Sequence, residues 1–264
     1  MGSQAPVAGM NKLDNVPGFL WTEDCISRSG EGDDILGEPA GCLCAGGQCS
    51  ASTCGCRRVN ALGSDVFTAE GRFLPLVHGI DFEDLIYECG PACSCSSATC
   101  PLAVTARPSR RGLRLENIPG KGWGVVADTP ILRGEFICSY AGEYITTAEA
   151  QRRLRGYDAA GGGHALLVIR QWLPSRGAVL RVNLDGTRRG NASRFLNHAC
   201  NGGNLQLVMV QRTGSALPRV ALFAATDIPA GAELTYSYGM PNPGPGRPCL
   251  CGTAACKGYM PHDV

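Results

Sequence analysis

Aromatic residues are scarce in this chain, 6% of 264 positions, while glycine (36) and proline (17) are plentiful. That composition argues against a bundle of long helices and suits short strands joined by many turns. Charge of one sign is also missing. The 24 basic side chains face 23 acidic ones, so bulk charge gives no drive toward nucleic acid, and no sequence-specific nucleic-acid contact is inferred. No apolar run reaches the length of a membrane span, so no membrane partner is expected. Residues 1–20 carry neither a basic start nor an apolar stretch of signal-peptide length, which speaks against an oxidising secretory compartment. Pro6 stands where a myristoylation site wants Ser or Thr.

Cysteine is the opposite case, with fifteen residues. Nine fall in two tight runs, Cys42-x-Cys44-x4-Cys49-x4-Cys54-x-Cys56 and Cys89-x3-Cys93-x-Cys95-x4-Cys100. Zinc prefers four thiolates in a tetrahedron, so nine ligands fill no whole number of separate sites. They satisfy three ions if three sulfurs bridge and six are terminal. Two separate sites with a spare cysteine, or a set of disulfides, are the alternatives. A disulfide between Cys-x-Cys neighbours is strained, and outside an oxidising compartment such clusters read as metal sites. One three-zinc cluster over residues 42–100 is therefore the favoured reading. Few large apolar side chains accompany these cysteines, so metal has to staple the segment. A structural zinc contributes on the order of 10 kcal/mol in small peptides. Phe67, Phe73, Leu74, Leu76 and Val77, between the runs, are expected to loop out and pack on the following domain. Asp81, Glu83, Asp84 and Glu88 read as a solvated acidic face, with contact to a basic tail as the alternative.

Residues 1–18 look like a loose tail, and Phe19, Leu20 and Trp21 are the first packing residues. From about residue 110 short β-type runs appear at Leu113–Leu115, Val125–Ala127, Phe136–Tyr140, Leu166–Ile169, Val179–Leu184, Leu205–Val210 and Val220–Ala224. One helix is expected from Thr146, where Thr146 and Glu149 form a capping box. Residues 241–248 read as a Gly/Pro linker to a last group, Cys249-x-Cys251-x4-Cys256, which is one ligand short of a tetrahedral site.

Four short constellations carry the chemistry: Gly120-Lys121-Gly122-Trp123-Gly124, Tyr140-Ala141-Gly142-Glu143, the run Gly190–Cys200 containing Arg194, Asn197 and His198, and Glu233–Gly239 containing Tyr236 and Tyr238. The first lacks the spacing and setting of a dinucleotide fingerprint. In this order, flanked by cysteine modules, the four resemble a SET-domain protein lysine methyltransferase with pre-SET and post-SET modules. The resemblance covers roughly residues 19–264.

The resemblance implies a mainly β fold of short curved sheets with a pseudoknot, in which the Arg194–Cys200 segment is crossed by Glu233–Tyr238. It implies a tail (1–18), a pre-SET zinc-cluster domain (19–109), a SET catalytic domain (110–240) and a post-SET zinc segment (241–264). Cys200 then supplies the fourth ligand beside Cys249, Cys251 and Cys256, leaving Cys25 and Cys138 as small buried side chains. The implied cofactor is S-adenosyl-L-methionine, held by Lys121, Gly122, Trp123, Gly124, His164, Arg194, Asn197 and His198. Tyr238 aligns with the catalytic tyrosine, Tyr140 with the wall of the lysine channel, and Tyr236 with the position that sets the degree of methylation, which favours mono- and dimethyl products. The implied partner is the histone H3 tail on a nucleosome, in the nucleus on chromosomes. No convincing Lys/Arg-rich import signal accompanies it. Three positions depart from the family pattern: His164 replaces a cofactor-contacting tyrosine, and Ser139 and Ser237 replace acidic residues. They motivate a second reading, a zinc-stapled chromatin-binding module with weak or no activity.

Overall fold

A computed structural model describes residues 18–27, 41–44, 49, 54–60, 66–79, 85–95, 100–161, 163–173, 177–239 and 247–261. The expected tail (apart from Gly18), most of the 241–248 linker, and Asp81, Glu83 and Asp84 lie outside these residues.

In chain order the elements are β1 (Leu20–Trp21), β2 (Ile26–Ser27), α1 (Gly55–Arg58), α2 (Leu74–His78), β3 (Ile86–Glu88), β4 (Leu113–Ile118), β5 (Gly122–Ala127), β6 (Phe136–Ser139), β7 (Glu143–Tyr144), α3 (Thr147–Ala159), β8 (Leu166–Leu173), β9 (Ala178–Asp185), β10 (Arg189–Gly190), β11 (Asn197–His198), β12 (Leu205–Arg212), β13 (Arg219–Ala224) and β14 (Glu233–Tyr236). They form three four-stranded sheets, ordered β11-β14-β5-β4, β3-β12-β13-β6 and β2-β7-β9-β8, and a β1-β10 pair. The fold is thus mainly β, as expected, and all seven anticipated runs are strands.

Local chemistry explains the edges of these elements. The β4–β5 hairpin turns at Gly120 and Gly122, whose φ values of 78° and 84° suit a residue without a Cβ. β13 lies between β12 and β6 and is almost continuously apolar and buried, as a central strand should be. The N-cap of α3 is Thr146, whose hydroxyl accepts from the Glu149 amide at 3.2 Å. Only that half of the capping box is used, because the Glu149 carboxylate turns to Arg152 and Arg153.

The cysteine-rich segment is built into the β-rich part. β3 extends a sheet by pairing in parallel with β12, Ile86 opposite Val210. Phe67 and Phe73 loop out as anticipated and close on Phe223, with ring centroids 6.0 and 5.3 Å away, while Phe136 packs on the same ring at 5.5 Å. The first packing residues behave differently from their place in the sequence. β1 pairs with β10 and β2 with β7, so this leading strand lies along the later sheets. Cys138 is fully buried and Cys25 half-buried, its thiol donating to the Tyr140 carbonyl at 3.1 Å.

Glu88 corrects the sequence reading. It belongs to no acidic face; it is fully buried, and its carboxylate accepts from the Thr105 amide at 3.0 and 3.2 Å and from the Thr105 hydroxyl at 2.6 Å. Burial pushes its pKa up to about 7.

Phe223 is the shared wall of two subdomains. Phe223→Ala is expected to lower unfolding free energy by about 3–5 kcal/mol, read from denaturant titration, with metal held constant.

Candidate active site and metal centres

The centre of the site is a crossing of two distant segments. β11 pairs in parallel with β14, Asn197 opposite Thr235 and His198 opposite Tyr236. Asn204 locks the crossing: its side chain donates to Glu233 O at 2.9 Å and accepts from the Thr235 amide at 2.8 Å. Gly203 lies against the same strand, where a Cβ would fall 2.3 Å from Thr235 O.

The crossing delivers Tyr236 and Tyr238 together, ring centroids 4.9 Å apart. Their rings line a cleft with Tyr140, His164 and Arg194. The Tyr238 hydroxyl donates to Leu196 O at 2.5 Å, and the Tyr140 hydroxyl donates to Ala165 O at 2.9 Å. His164 stacks on Tyr157, 5.7 Å between centroids with planes 19° apart. Arg194 lies over the Phe19 and Phe195 rings, at 5.6 and 5.2 Å, and donates from Nε to Thr187 O at 3.0 Å. Burial pushes its pKa down.

The remaining expected cofactor residues sit beside the cleft rather than in its wall. Lys121 donates to Glu233 at 2.7 Å, and Asn197 donates to the other Glu233 oxygen at 2.8 Å and to Trp123 O at 3.2 Å. Gly124 is required by crowding: a Cβ there would meet Ile118 Cγ1 at 2.6 Å and Asn197 Nδ2 at 3.0 Å. Gly122 has open space around it, and Trp123 is half-exposed. His198 is buried; its Nδ1 accepts from the Tyr238 amide at 3.1 Å and its Nε2 lies 3.1 Å from Cys200 Sγ. Of the departing serines, Ser139 is buried with no partner for its hydroxyl among the described residues, whereas Ser237 Oγ caps the turn at Gly239.

Sequence reasoning missed part of the wall. Ser193, Arg247, Met260 and Pro261 also line the cleft. Arg247 stands in the stretch expected as a Gly/Pro linker, and Met260 and Pro261 lie beyond the last cysteine, Cys256. Phe19 was noted as a packing residue, but nothing local in the sequence points to Arg194.

The cysteines gather into overlapping groups. Cys42, Cys49 and Cys89 form a sulfur triangle with edges of 3.9, 3.7 and 3.7 Å. Around it the sets Cys42/Cys44/Cys49/Cys54, Cys49/Cys89/Cys95/Cys100, Cys42/Cys54/Cys56/Cys89 and Cys42/Cys89/Cys93/Cys95 can each hold an ion. A fifth set joins Cys200 to Cys249, Cys251 and Cys256. Four sulfurs about 2.3 Å from zinc stand roughly 3.8 Å apart, and the observed spacings match. Burial pushes the Cys42 and Cys49 thiols up, and hydrogen bonding within the cluster pushes Cys89 up while lowering Cys56 to about 5. Thiols so crowded cannot all ionise without a cation among them, so the donor set fits zinc. Backbone amides of Lys257 and Gly258 point at Cys200 and Cys256 Sγ, at 3.4 and 3.5 Å, as they do around bound thiolates.

Comparison with known proteins decides the family. The SET domain profile matches residues 122–239, and the Pre-SET motif matches residues 2–102. The histone-lysine N-methyltransferase SETMAR of Mus musculus is 30% identical over 286 residues, covering 95% of this chain and 87% of that protein.

This chain belongs to the SET-domain histone-lysine methyltransferases.

The family member SUVR3 of Arabidopsis thaliana is 38% identical over 247 residues; the match covers 90% of this chain and 63% of SUVR3, a little under two thirds of its length. The crystal structure of the human SETMAR methyltransferase domain superposes with a TM-score of 0.76 at 27% identity, covering 93% of this chain and 90% of that one. A structure of KRYPTONITE in complex with DNA, an H3(1-15) peptide and SAH gives a TM-score of 0.72 at 26% identity, covering 91% and 47%. The SET and pre-SET reading of the sequence, and its likeness to SETMAR, agree with these matches. No helix among the described residues is long and apolar enough to cross a membrane.

Metal removal is the direct test of the sulfur groups. A strong chelator is expected to collapse the thermal transition of the chain and release zinc stoichiometrically, measured by calorimetry alongside a colorimetric zinc assay; reloading should restore the transition.

Proposed function

We propose that this chain transfers methyl groups from S-adenosyl-L-methionine to a lysine ε-amine of histone H3. The observation that carries the reading is the convergence of Tyr140, Tyr236, Tyr238 and Arg194 on one cleft beside the β11–β14 crossing. The names of the relatives and the H3 peptide in the KRYPTONITE complex support the substrate class.

The cofactor fits the groups present. Among the described residues no carboxylate pairs with Arg194, and Ser193 Oγ is buried in the cleft wall without a partner. A ligand with a carboxylate and an amine answers both. Arg194 and His164 would hold that end, and Asn197, His198 and the Lys121–Gly124 backbone the other. When bound, S-adenosyl-L-methionine supplies an activated methyl group on a cationic sulfur.

The chain's own residues prepare the amine. A lysine with a pKa of ~10.4 costs roughly 4–5 kcal/mol to deprotonate at neutral pH. Tyrosine rings and Leu196 form a wall that favours the neutral amine. Tyr238 gives its proton to Leu196 O, so its Oη faces the amine as an acceptor and orients the nitrogen lone pair. A tyrosine with a pKa near ~10 is a poor general base, so alignment and exclusion of water supply most of the acceleration. Tyr236, buried and in contact with Tyr238, brings a hydroxyl that restrains a methylated amine and favours mono- and dimethyl products.

On the same reading Cys42, Cys44, Cys49, Cys54, Cys56, Cys89, Cys93, Cys95 and Cys100 would hold three structural zinc ions in the pre-SET cluster. A fourth belongs to Cys200, Cys249, Cys251 and Cys256. The chain is read as a tail (1–18), a pre-SET domain (19–109), a SET domain (110–240) and a post-SET segment (241–264); the SET match at 122–239 and the pre-SET match, which runs through 2–102, support the two middle divisions. Relatives of this kind are chromatin proteins, and a nuclear, chromosome-associated location follows from the substrate.

The test is zinc-loaded chain with labelled S-adenosyl-L-methionine and recombinant nucleosomes, the label mapped by mass spectrometry. Label on an H3 lysine is expected, and Tyr238→Phe should lower kcat by on the order of a hundredfold or more. Absence of both label and cofactor binding would favour the inactive chromatin-binding module. A second variant tests product state: Tyr236→Phe should shift the product from dimethyl to trimethyl lysine, and an unchanged distribution would remove Tyr236 from that role.

A further inference from the structure

Asp185 ends β9 almost fully enclosed, at 2% exposure. Its carboxylate accepts three hydrogen bonds. Oδ2 takes Arg153 Nη1 and the Tyr157 hydroxyl, each at 2.7 Å, and Oδ1 takes the Thr187 amide at 3.0 Å. Gly142 packs closely on the Asp185 backbone, where a Cβ would lie 2.7 Å from the main-chain oxygen. Arg153 in turn bonds Glu143 and Glu149, both at 2.7 Å, so α3 is fastened to the sheet through one guanidinium.

Two arms leave this carboxylate for the cleft. Through Tyr157 it reaches His164, whose ring stacks on the tyrosine with planes 19° apart. His164 Nδ1 accepts from the Leu166 amide at 3.3 Å, which holds the ring edge while Tyr157 holds its face. Through Thr187 it reaches two points of the cleft wall: Thr187 Oγ1 accepts from the Ala165 amide at 3.0 Å, and Thr187 O accepts from Arg194 Nε at 3.0 Å. Neither Asp185 nor Thr187 lines the cleft, and Tyr157 stands behind His164. These are contacts that act through other residues.

We propose that Asp185 and Tyr157 are positioning residues for the cofactor end of the cleft, Asp185 fixing Tyr157 and Thr187 so that the His164 ring and the Arg194 guanidinium present one rigid surface. The proposal rests on the reading of this cleft as the S-adenosyl-L-methionine site. It also accounts for the histidine at position 164. Imidazole is shorter than a phenol, and an offset ring stack from behind supplies the rigidity that a larger side chain would have by filling the space. A positioned ring costs the incoming ligand less ordering entropy.

The experiment uses the zinc-loaded full chain and measures S-adenosyl-L-homocysteine affinity by calorimetry, together with KM for the cofactor and for an H3 peptide. Tyr157→Leu removes the stack; cofactor affinity is expected to fall about tenfold while the peptide KM stays within about twofold. Tyr157→Phe keeps the ring and should recover most of that loss, leaving a deficit of roughly threefold from the lost bond to Asp185. Asp185→Asn should resemble or exceed Tyr157→Leu, and if it fails to fold the two Tyr157 variants decide alone. Wild-type affinity in Tyr157→Leu would overturn the proposal. So would equal losses for cofactor and peptide accompanied by a lowered Tm, which is the mark of a merely structural role. If the wild-type chain itself binds no S-adenosyl-L-homocysteine, it is the cofactor reading that fails.

Discussion

Two residue pairs, Asn197 with Thr235 and His198 with Tyr236, hold together segments that the chain separates by almost forty positions. Everything chemical in the molecule depends on that crossing. Threaded connections are rare because they must be assembled late and in order, so the pairing needs more than two rungs of ladder. Asn204 supplies it by bonding the β14 backbone at Glu233 O and at the Thr235 amide, and Gly203 permits it by leaving no Cβ where Thr235 passes. The same short stretch then serves three purposes. Asn197 meets Glu233, His198 receives the amide of Tyr238, and Cys200 joins the C-terminal cysteines. A loss of register here would move the tyrosines, a cysteine of the C-terminal group and a cleft wall at once.

Sulfur takes the role that apolar burial plays elsewhere. The second core cluster is a mixture of cysteines with Phe67, Phe73, Leu76, Ile86 and Phe223. Its apolar half belongs to the joint with the SET sheets, and its cysteine half has little else to bury. A metal-stapled module of this kind would fold when loaded and not before. Because β3 pairs with β12 immediately before Cys89, order in the metal cluster and order in the catalytic sheet are linked through the backbone itself. The C-terminal cysteine group repeats the arrangement on a smaller scale: Cys200 comes from the crossing, and Cys249, Cys251 and Cys256 from the segment whose Arg247, Met260 and Pro261 line the cleft.

What was legible in the sequence was local. Strands of four to eight residues show their period, the Thr146 cap shows its hydroxyl, and the cysteine spacings carry their own arithmetic. The two-residue strands β1, β2, β7 and β10 were not legible, because two residues hold no period. Lys121 and Glu233 lie 112 positions apart, and nothing near either names the other. Glu88 misled for a related reason. It stands close to three other acids in the chain, yet only the fold reveals that Thr105 meets it in the interior. The candidate site was readable as a set of motifs whose order resembled a family. Its tertiary supports, Phe19 under Arg194 and Tyr157 behind His164, were not.

Near-neutral total charge conceals a local imbalance that bears on function. Arg153 and Arg194 are both shielded from water, but they are treated differently. Arg153 has three carboxylates at 2.7 Å, one of them buried Asp185. Among the described residues Arg194 has two aromatic faces and one carbonyl. Ring faces attract a cation without neutralising it, and a carbonyl offers a dipole in place of a charge. Removing a guanidinium from water without a counter-ion is costly, so its place in the cleft supports the proposed ligand carboxylate. The acid nearest in connection, Asp185, is already committed to Arg153, Tyr157 and Thr187 and reaches Arg194 only through the Thr187 backbone. The arrangement keeps the cation fixed in place and available, which is the condition for a ligand carboxylate to bind there with direction as well as attraction.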